Sequence, residues 1–336
     1  MKLVTFRRSD QAAALGVMVG ADRVLDAQAA AVRERGAPTS FFISMLELIR
    51  AGEPALAELR RLVGKFRNDP AFSVSLHDCT LLAPVPVPEQ MRDCLVFEKH
   101  FLQVRAQAAV LKARLLGDTT EMAIAASGSK VGSSIPKVWY EQPLYYKGNR
   151  FSVTGPDSDV LWPSYSRFLD FELEWGIFVS RKGKNISPAN ACDHIFGYTI
   201  FNDFSARDAQ YRETEGRLGP AKGKDFDTGN AMGPCLVTAD EIVDPYSLSM
   251  AVRVNGNEWG RGTTGDMHHR FEDILAHISS EETLHPGEFI GSGTVGDGCG
   301  LEHDRWIKPG DVIELEVEKI GILRNRVVKE QTAGHP

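Results

Sequence analysis

The chain has 336 residues, 43% hydrophobic and 25% charged, an ordinary globular composition long enough for a large core with a smaller appended domain. A formal charge of -7 leaves no basic excess to neutralise phosphates, which argues against nucleic acid as a main partner. Five cysteines with no Cys-x-x-Cys pair fit reduced thiols better than a disulfide framework or a zinc ribbon.

The opening MKLVTFRRSDQ lacks a long apolar stretch, and no later segment approaches about 18 uninterrupted apolar residues. Neither secretion nor a membrane-spanning helix is expected, and the chain reads as soluble and cytoplasmic. Lys2 to Arg7, Leu15 to Val19 and Arg23 to Asp26 read as short strands separated by polar or glycine-containing turns, a small β-rich head. Ser44 to Phe66 carries helical periodicity broken near Gly52 to Pro54, which predicts two short helices packed on those strands. LLAPVPVP, Leu81 to Pro88, then brings three prolines, so a linker and a boundary near residue 85 are expected. The division is residues 1–85 and 86–336.

Beyond it, strands are expected at Phe151 to Thr154, Phe168 to Ser180, Ile195 to Asn202, Cys235 to Thr238, Met250 to Val254, Phe289 to Gly296 and Val312 to Arg324. Helices are expected at Phe97 to Leu116 and Met267 to Ile278. The fold class is therefore mixed α/β, predominantly β.

The most informative stretch is FLDFELEWGIFVS, Phe168 to Ser180. Alternation along a strand puts Asp170, Glu172 and Glu174 on one face and Phe171, Leu173 and Trp175 on the other. Buried carboxylates pair, protonate or bind metal, and no Lys or Arg lies within the run to pair with these. Followed by Asp203, they suggest a cage for a hard cation, although a solvated acidic face would produce the same pattern. Other polar groups are weaker signals on their own. Asp93 and His100 lie seven apart and share a face if one helix runs through both. Arg207 and Gln210 follow Asp203 at spacings that converge on one helical face. Lys224 sits in a Gly-rich stretch, and Thr294 and Glu302 lie in glycine-dense GSGTVGDGCGLEHD.

Taken in order, ELE at Glu172 to Glu174, FGYTIFNDFSARDAQ from Phe196 to Gln210, KDFDT from Lys224 to Thr228 with GP at Gly233 and Pro234, then GSGTVG and IKPGD, resemble the fumarylacetoacetate hydrolase superfamily over most of the chain. The resemblance implies a C-terminal catalytic β-roll or sandwich behind the small N-terminal domain. It implies a divalent cation on Glu172, Glu174 and Asp203, with Asp93 matching a fourth carboxylate. Oxygen donors favour Mg²⁺ or Mn²⁺, with Ca²⁺ also compatible. His100 matches the general base and Glu302 the carboxylate that orients it. Lys224, Arg207 and Gln210 match residues that hold or polarise substrate oxygens, and Tyr146 and Thr294 match substrate contacts.

The reaction so implied is hydrolysis of a carbon–carbon bond in a 1,3-diketone or acylpyruvate-like acid, with His100 taking a proton from the attacking water. Decarboxylation, hydration or isomerisation of a related keto acid stays open, as does a non-catalytic module that binds metal and dicarboxylate. Relatives are commonly homodimers, so a homodimer is implied. The sequence departs from the family pattern in a long stretch from Ala106 to Lys137. Glu98 beside His100 competes with Glu302 as its partner, and Tyr211 to Lys222 has the composition of a closing loop.

Overall fold

The computed structural model describes residues 1–9, 11–117 and 134–329; most of the centre of the Ala106 to Lys137 stretch lies outside them. A twelve-stranded sheet forms the frame. Its middle runs, in spatial order, Lys2–Arg7, Asn230–Thr238, Ile195–Asp203, Leu173–Val179, Phe289–Gly291, Met91–Cys94 and Tyr145–Lys147. Ile195–Asp203 and Leu173–Val179 are buried at every position, as expected for central strands covered on both faces. A second, five-stranded sheet includes Ser249–Val254, Val312–Val317 and Gly321–Val328. Its strand Val312–Val317 alternates between buried and half-buried positions, so one face is turned to the core. Val252, Leu315 and Leu323 join Trp175, Ile200 and Val237 in a single apolar cluster, which makes the body a sandwich of mixed α/β, strand-dominated architecture.

The N-terminal strands occur where expected, at Lys2–Arg7, Ala14–Val19 and Arg23–Asp26. Helix α1, Ala27–Arg35, follows without a polar–apolar rhythm strong enough to announce it; Asp26 caps it by accepting from Ala29 N at 2.9 Å, and Gly36 closes it at φ 77. Helices α2, Met45–Ala51, and α3, Glu53–Phe66, are separated at Gly52, whose φ of 67 is one that side chains avoid. These helices pack on the back of the main sheet. Leu48, Ile49, Leu59 and Leu62 share a cluster with Phe178, Phe196, Phe201 and Phe289.

Residues 81–88 are packed rather than extended through solvent. Thr80–Leu82 pairs with Lys2–Arg7, Ala83 and Val85 are buried, and Thr5 Oγ1 donates to the Pro84 carbonyl at 2.6 Å. Because Lys2 also pairs with Val237, the sheet runs unbroken across position 85.

Four other expectations change in detail. Asp93 lies on strand Met91–Cys94 and His100 in the first turn of helix α4, Glu98–Leu116, so they do not share one helix face. The expected strand at Phe289 to Gly296 ends at Gly291, where the chain turns to meet Asp93, and Val312 to Arg324 divides into a hairpin with Lys319 at φ 65. The helix expected from Met267 begins at Phe271, since Met267 and His268 are used in pairing with Phe97 and Val96.

Candidate active site

Sheet register gathers the acidic groups. Glu174 pairs with Phe201 on the neighbouring strand, two residues from Asp203; on the other side Gly176 pairs with Gly291, and Gly291 with Asp93. Asp93, Glu174 and Asp203 are buried and offer carboxylate oxygens that all lie within 4.8 Å of one another. Gly291 makes this convergence possible, because a Cβ there would lie 2.3 Å from Asp93 Oδ1. Gly293 N donates to Asp93 Oδ1 at 3.1 Å and Thr294 Oγ1 to Glu174 Oε1 at 3.1 Å, while the Tyr146 hydroxyl donates to Asp203 Oδ2. Glu174 Oε2 and Asp203 Oδ1 are buried with no hydrogen-bond partner. Two orphaned carboxylate oxygens in one all-oxygen cluster fit a hard divalent cation.

Glu172 stands on the cationic side of this cluster. Its Oε2 meets Lys224 Nζ at 2.5 Å and its Oε1 meets Arg207 at 2.8 Å. Lys224 also meets Asp203 Oδ2 at 2.6 Å, so it ties Glu172 to the cluster. Asp170, on the same face, is consumed structurally: it accepts Arg207 at 2.8 and 2.9 Å and the backbone N–H groups of Gly300 and Leu301 at 2.8 and 3.0 Å. Arg207 opens the helix Arg207–Glu215 and donates to Gln210 Oε1 at 2.9 Å, the convergence that their spacing suggests. That helix occupies the first part of the segment expected to be a closing loop. The remainder is pinned by Glu213, whose carboxylate accepts from Ala221, Lys222 and Gly223 N just before Lys224.

The third element is a dyad. His100 Nδ1 lies 2.8 Å from Glu302 Oε1, and Glu302 Oε2 accepts from Cys299 N at 2.9 Å. A carboxylate at Nδ1 assigns the ring proton to that nitrogen and leaves Nε2 with its lone pair. Glu98 is turned instead to the Tyr140 hydroxyl. His100, Asp93, Glu174, Lys224 and Thr294 border one cavity of about 550 Å³. Its far wall comes from Phe101, Val104, Ala108 and Leu111 on α4. Sequence reading missed this wall, although the spacing His100, Val104, Ala108 and Leu111 is that of a single helix face. It also missed Asp170 as the anchor of Arg207.

The electrostatics separate the two sides. Burial first, then the Asp203 charge, pushes Asp93 up to about 8. Burial raises Asp203 to about 6 against the pull of Lys224, and burial with the neighbouring Asp93 and Glu172 carries Glu174 well above the usual carboxylate range. For Glu172, burial opposes ionisation, but Lys224 and Arg207 outweigh it and draw the group down to about 2. The cations thus compensate Glu172 and leave Asp93, Glu174 and Asp203 to be neutralised by bound protons or by an added cation.

Comparison with known proteins identifies the family. The chain is 30% identical over 292 residues to the oxaloacetate tautomerase YisK of Bacillus subtilis, 84% of this chain and 86% of that one. It is 35% identical over 189 residues to a mitochondrial oxaloacetate tautomerase of Homo sapiens, a match that spans 56% of this chain and only 60% of the human protein. Among solved structures, fumarylacetoacetate hydrolase from Exiguobacterium antarcticum superposes with a TM-score of 0.70 at 25% identity, covering 98% of this chain and 100% of that one. A maleylpyruvate hydrolase from Sphingobium sp. SYK-6, in complex with manganese(II) and pyruvate, shares the fold with a TM-score of 0.70 at 22% identity and the same coverage. The family model described as fumarylacetoacetate (FAA) hydrolase C-terminal matches residues 119–328, more than half of the chain, and the chain belongs to the fumarylacetoacetate hydrolase family.

Proposed function

We propose that the protein is a divalent-metal-dependent enzyme that moves a proton at the carbon beside the keto group of a 2-oxo acid, with keto–enol tautomerisation of an oxaloacetate-like acid as the reading best supported. The observation that carries it is the pair of orphaned oxygens on Glu174 and Asp203, in a cavity that His100 also borders. The tautomerases of human and Bacillus origin supply the substrate class. Asp93, Glu174 and Asp203 would hold Mg²⁺ or Mn²⁺, with Ca²⁺ compatible; Glu172, whose oxygens keep lone pairs beyond their contacts with Lys224 and Arg207, completes the set. The manganese(II) and pyruvate in the maleylpyruvate hydrolase structure are of the class such a site takes. When bound, the ion polarises the keto oxygen and stabilises negative charge there.

The chain's own groups do the rest. His100, oriented by Glu302, takes the proton at Nε2. Lys224 and Gln210 steady negative oxygen; Arg207, bridging Asp170 and Glu172, holds the carboxylate side in place; Tyr146 and Thr294 bind at the cavity's edge.

A second reading, hydrolysis of a carbon–carbon bond in an acylpyruvate-like acid, uses the same groups with His100 activating water. The apolar α4 wall favours it, since a four-carbon acid leaves much of a 550 Å³ cavity unfilled. Turnover of oxaloacetate and acylpyruvates in ¹⁸O-labelled or deuterated water separates the two. Tautomerisation places deuterium on carbon without ¹⁸O in a new carboxylate, whereas hydrolysis places ¹⁸O in the product acid. No turnover of either, with Mn²⁺ bound, would refute both and leave a binding module. His100→Gln should keep metal uptake and lose deuterium exchange. The unpaired thiols suit a cytoplasmic setting, the family resemblance implies a homodimer, and residues 1–85 form a smaller unit whose strands extend the catalytic sheet and whose helices pack on its back.

A further inference from the structure

We infer that His100, Cys299 and Glu302 form a second cation site, suited to a borderline ion such as Zn²⁺ and distinct from the carboxylate cluster. A His100 ring nitrogen, Cys299 Sγ and a Glu302 carboxylate oxygen lie within 4.8 Å of one another, and all three residues are buried. Two of them are held as a unit: Cys299 is fixed by its bridge to Glu172, and its N–H donates to Glu302 at 2.9 Å. His100 enters from α4 and is the member of the three that borders the cavity.

Donor chemistry separates the two clusters. Nitrogen, sulfur and oxygen together are a zinc-type set, whereas Asp93, Glu174 and Asp203 offer oxygen alone. Ligand bonds of about 2.0–2.3 Å place the donors of a tetrahedral site roughly 3.3–3.8 Å apart, so shifts on the order of 1 Å suffice, with the 2.8 Å His100 Nδ1–Glu302 contact opening. Binding releases the thiol proton to solvent, ligation through Nδ1 moves the ring proton to Nε2, and the carboxylate exchanges its hydrogen bond for the ion. The imidazole so engaged no longer accepts a proton. This last consequence rests on the role given to His100 above; the site itself does not.

The test uses the full chain with its carboxylate cluster saturated by Mg²⁺, titrated with Co²⁺ while the near-ultraviolet thiolate-to-cobalt absorption is followed. One equivalent should produce the band, and Zn²⁺ should displace it. Cys299→Ser should lose the band and weaken Co²⁺ by at least the roughly tenfold that even an outer partner costs. Cys192→Ser, which removes the exposed thiol, should keep it. Unchanged thermal unfolding and Mg²⁺ uptake in Cys299→Ser show that the variant is folded. An undiminished band in Cys299→Ser, or none in wild type at a tenfold excess of ion, overturns the site. Zn²⁺ that fills the site yet spares turnover supports the site and overturns His100 as the base, so the two failures are distinguishable.

Discussion

The two halves of the acidic site contain similar carboxylates in opposite states. Asp170 and Glu172 are compensated within the chain by Arg207 and Lys224, whereas Asp93, Glu174 and Asp203 share only one edge of Lys224 and keep two oxygens without a partner. The first half can be complete in the folded protein; the second is complete only with protons or an added cation. This contrast separates residues that hold the site together from residues that hold what it binds.

Removing a carboxylate from the uncompensated half should have the largest effect on activity. Glu174→Gln should lower divalent-ion affinity by about a hundredfold or more and reduce turnover with it, while unfolding in metal-free buffer changes little or improves. Wild-type turnover in this variant after chelation would sink the metal reading. The compensated half should behave in the reverse way. Arg207→Met strands Asp170 and Glu172 in the interior and should cost roughly 3–5 kcal/mol in denaturant unfolding. A loss under 1 kcal/mol would show that water reaches the pair.

A smaller effect is expected where the two halves meet the backbone. Gly291→Ala forces a methyl against Asp93 Oδ1 at 2.3 Å and should cost about 1–3 kcal/mol while weakening ion uptake. Stability alone falling, with affinity unchanged, would remove Asp93 from the ligand set.

The smallest effect is a pH dependence. Asp93 and Asp203 have folded-state values raised from 3.8 to about 8 and about 6, so the folded metal-free protein holds their protons more tightly than the unfolded chain. That contribution is fully present below about pH 4 and is lost as pH rises through 6 and then 8. Glu172, lowered from 4.5 to about 2, works in the opposite sense: its contribution is fully present above about pH 4.5 and is lost only as pH falls toward 2. Thermal unfolding with and without Mn²⁺ from pH 5 to about 8.5 should therefore show a metal-induced rise that grows with pH. A constant increment would contradict these shifts.

Much of this division was legible in the sequence. Glu172 and Glu174, Asp203, Arg207 with Gln210, and Lys224 lie in short ordered motifs, and alternation grouped Asp170, Glu172 and Glu174, although the run divides into Leu169–Asp170, paired with Ser205–Ala206, and Leu173–Val179 in the main sheet. Their different fates were not legible, because the compensating cations come from far along the chain: Arg207 is 37 residues from Asp170, and Lys224 is 52 from Glu172. Local spacing put Asp93 and His100 on a common face only on the condition that one helix ran through both, whereas a parallel pairing of Asp93 with Gly291 decides the position of Asp93. In the N-terminal head, periodicity revealed α2 and α3, but the alanine-rich α1 lacked contrast between its faces and was missed. The prolines at residues 84–88 suggested a tether because composition does not reveal that Ala83 and Val85 are buried under a continuous sheet.

Calorimetric titration of chelator-treated protein with Mn²⁺ at pH 8, alongside Glu174→Gln, addresses the contrast most directly. Wild type should take up one ion per chain at the carboxylate cluster with release of protons, and the variant should take up none at comparable concentration. Equal uptake by both proteins, or none by wild type, would mean that the orphaned oxygens of Glu174 and Asp203 do not mark a cation site.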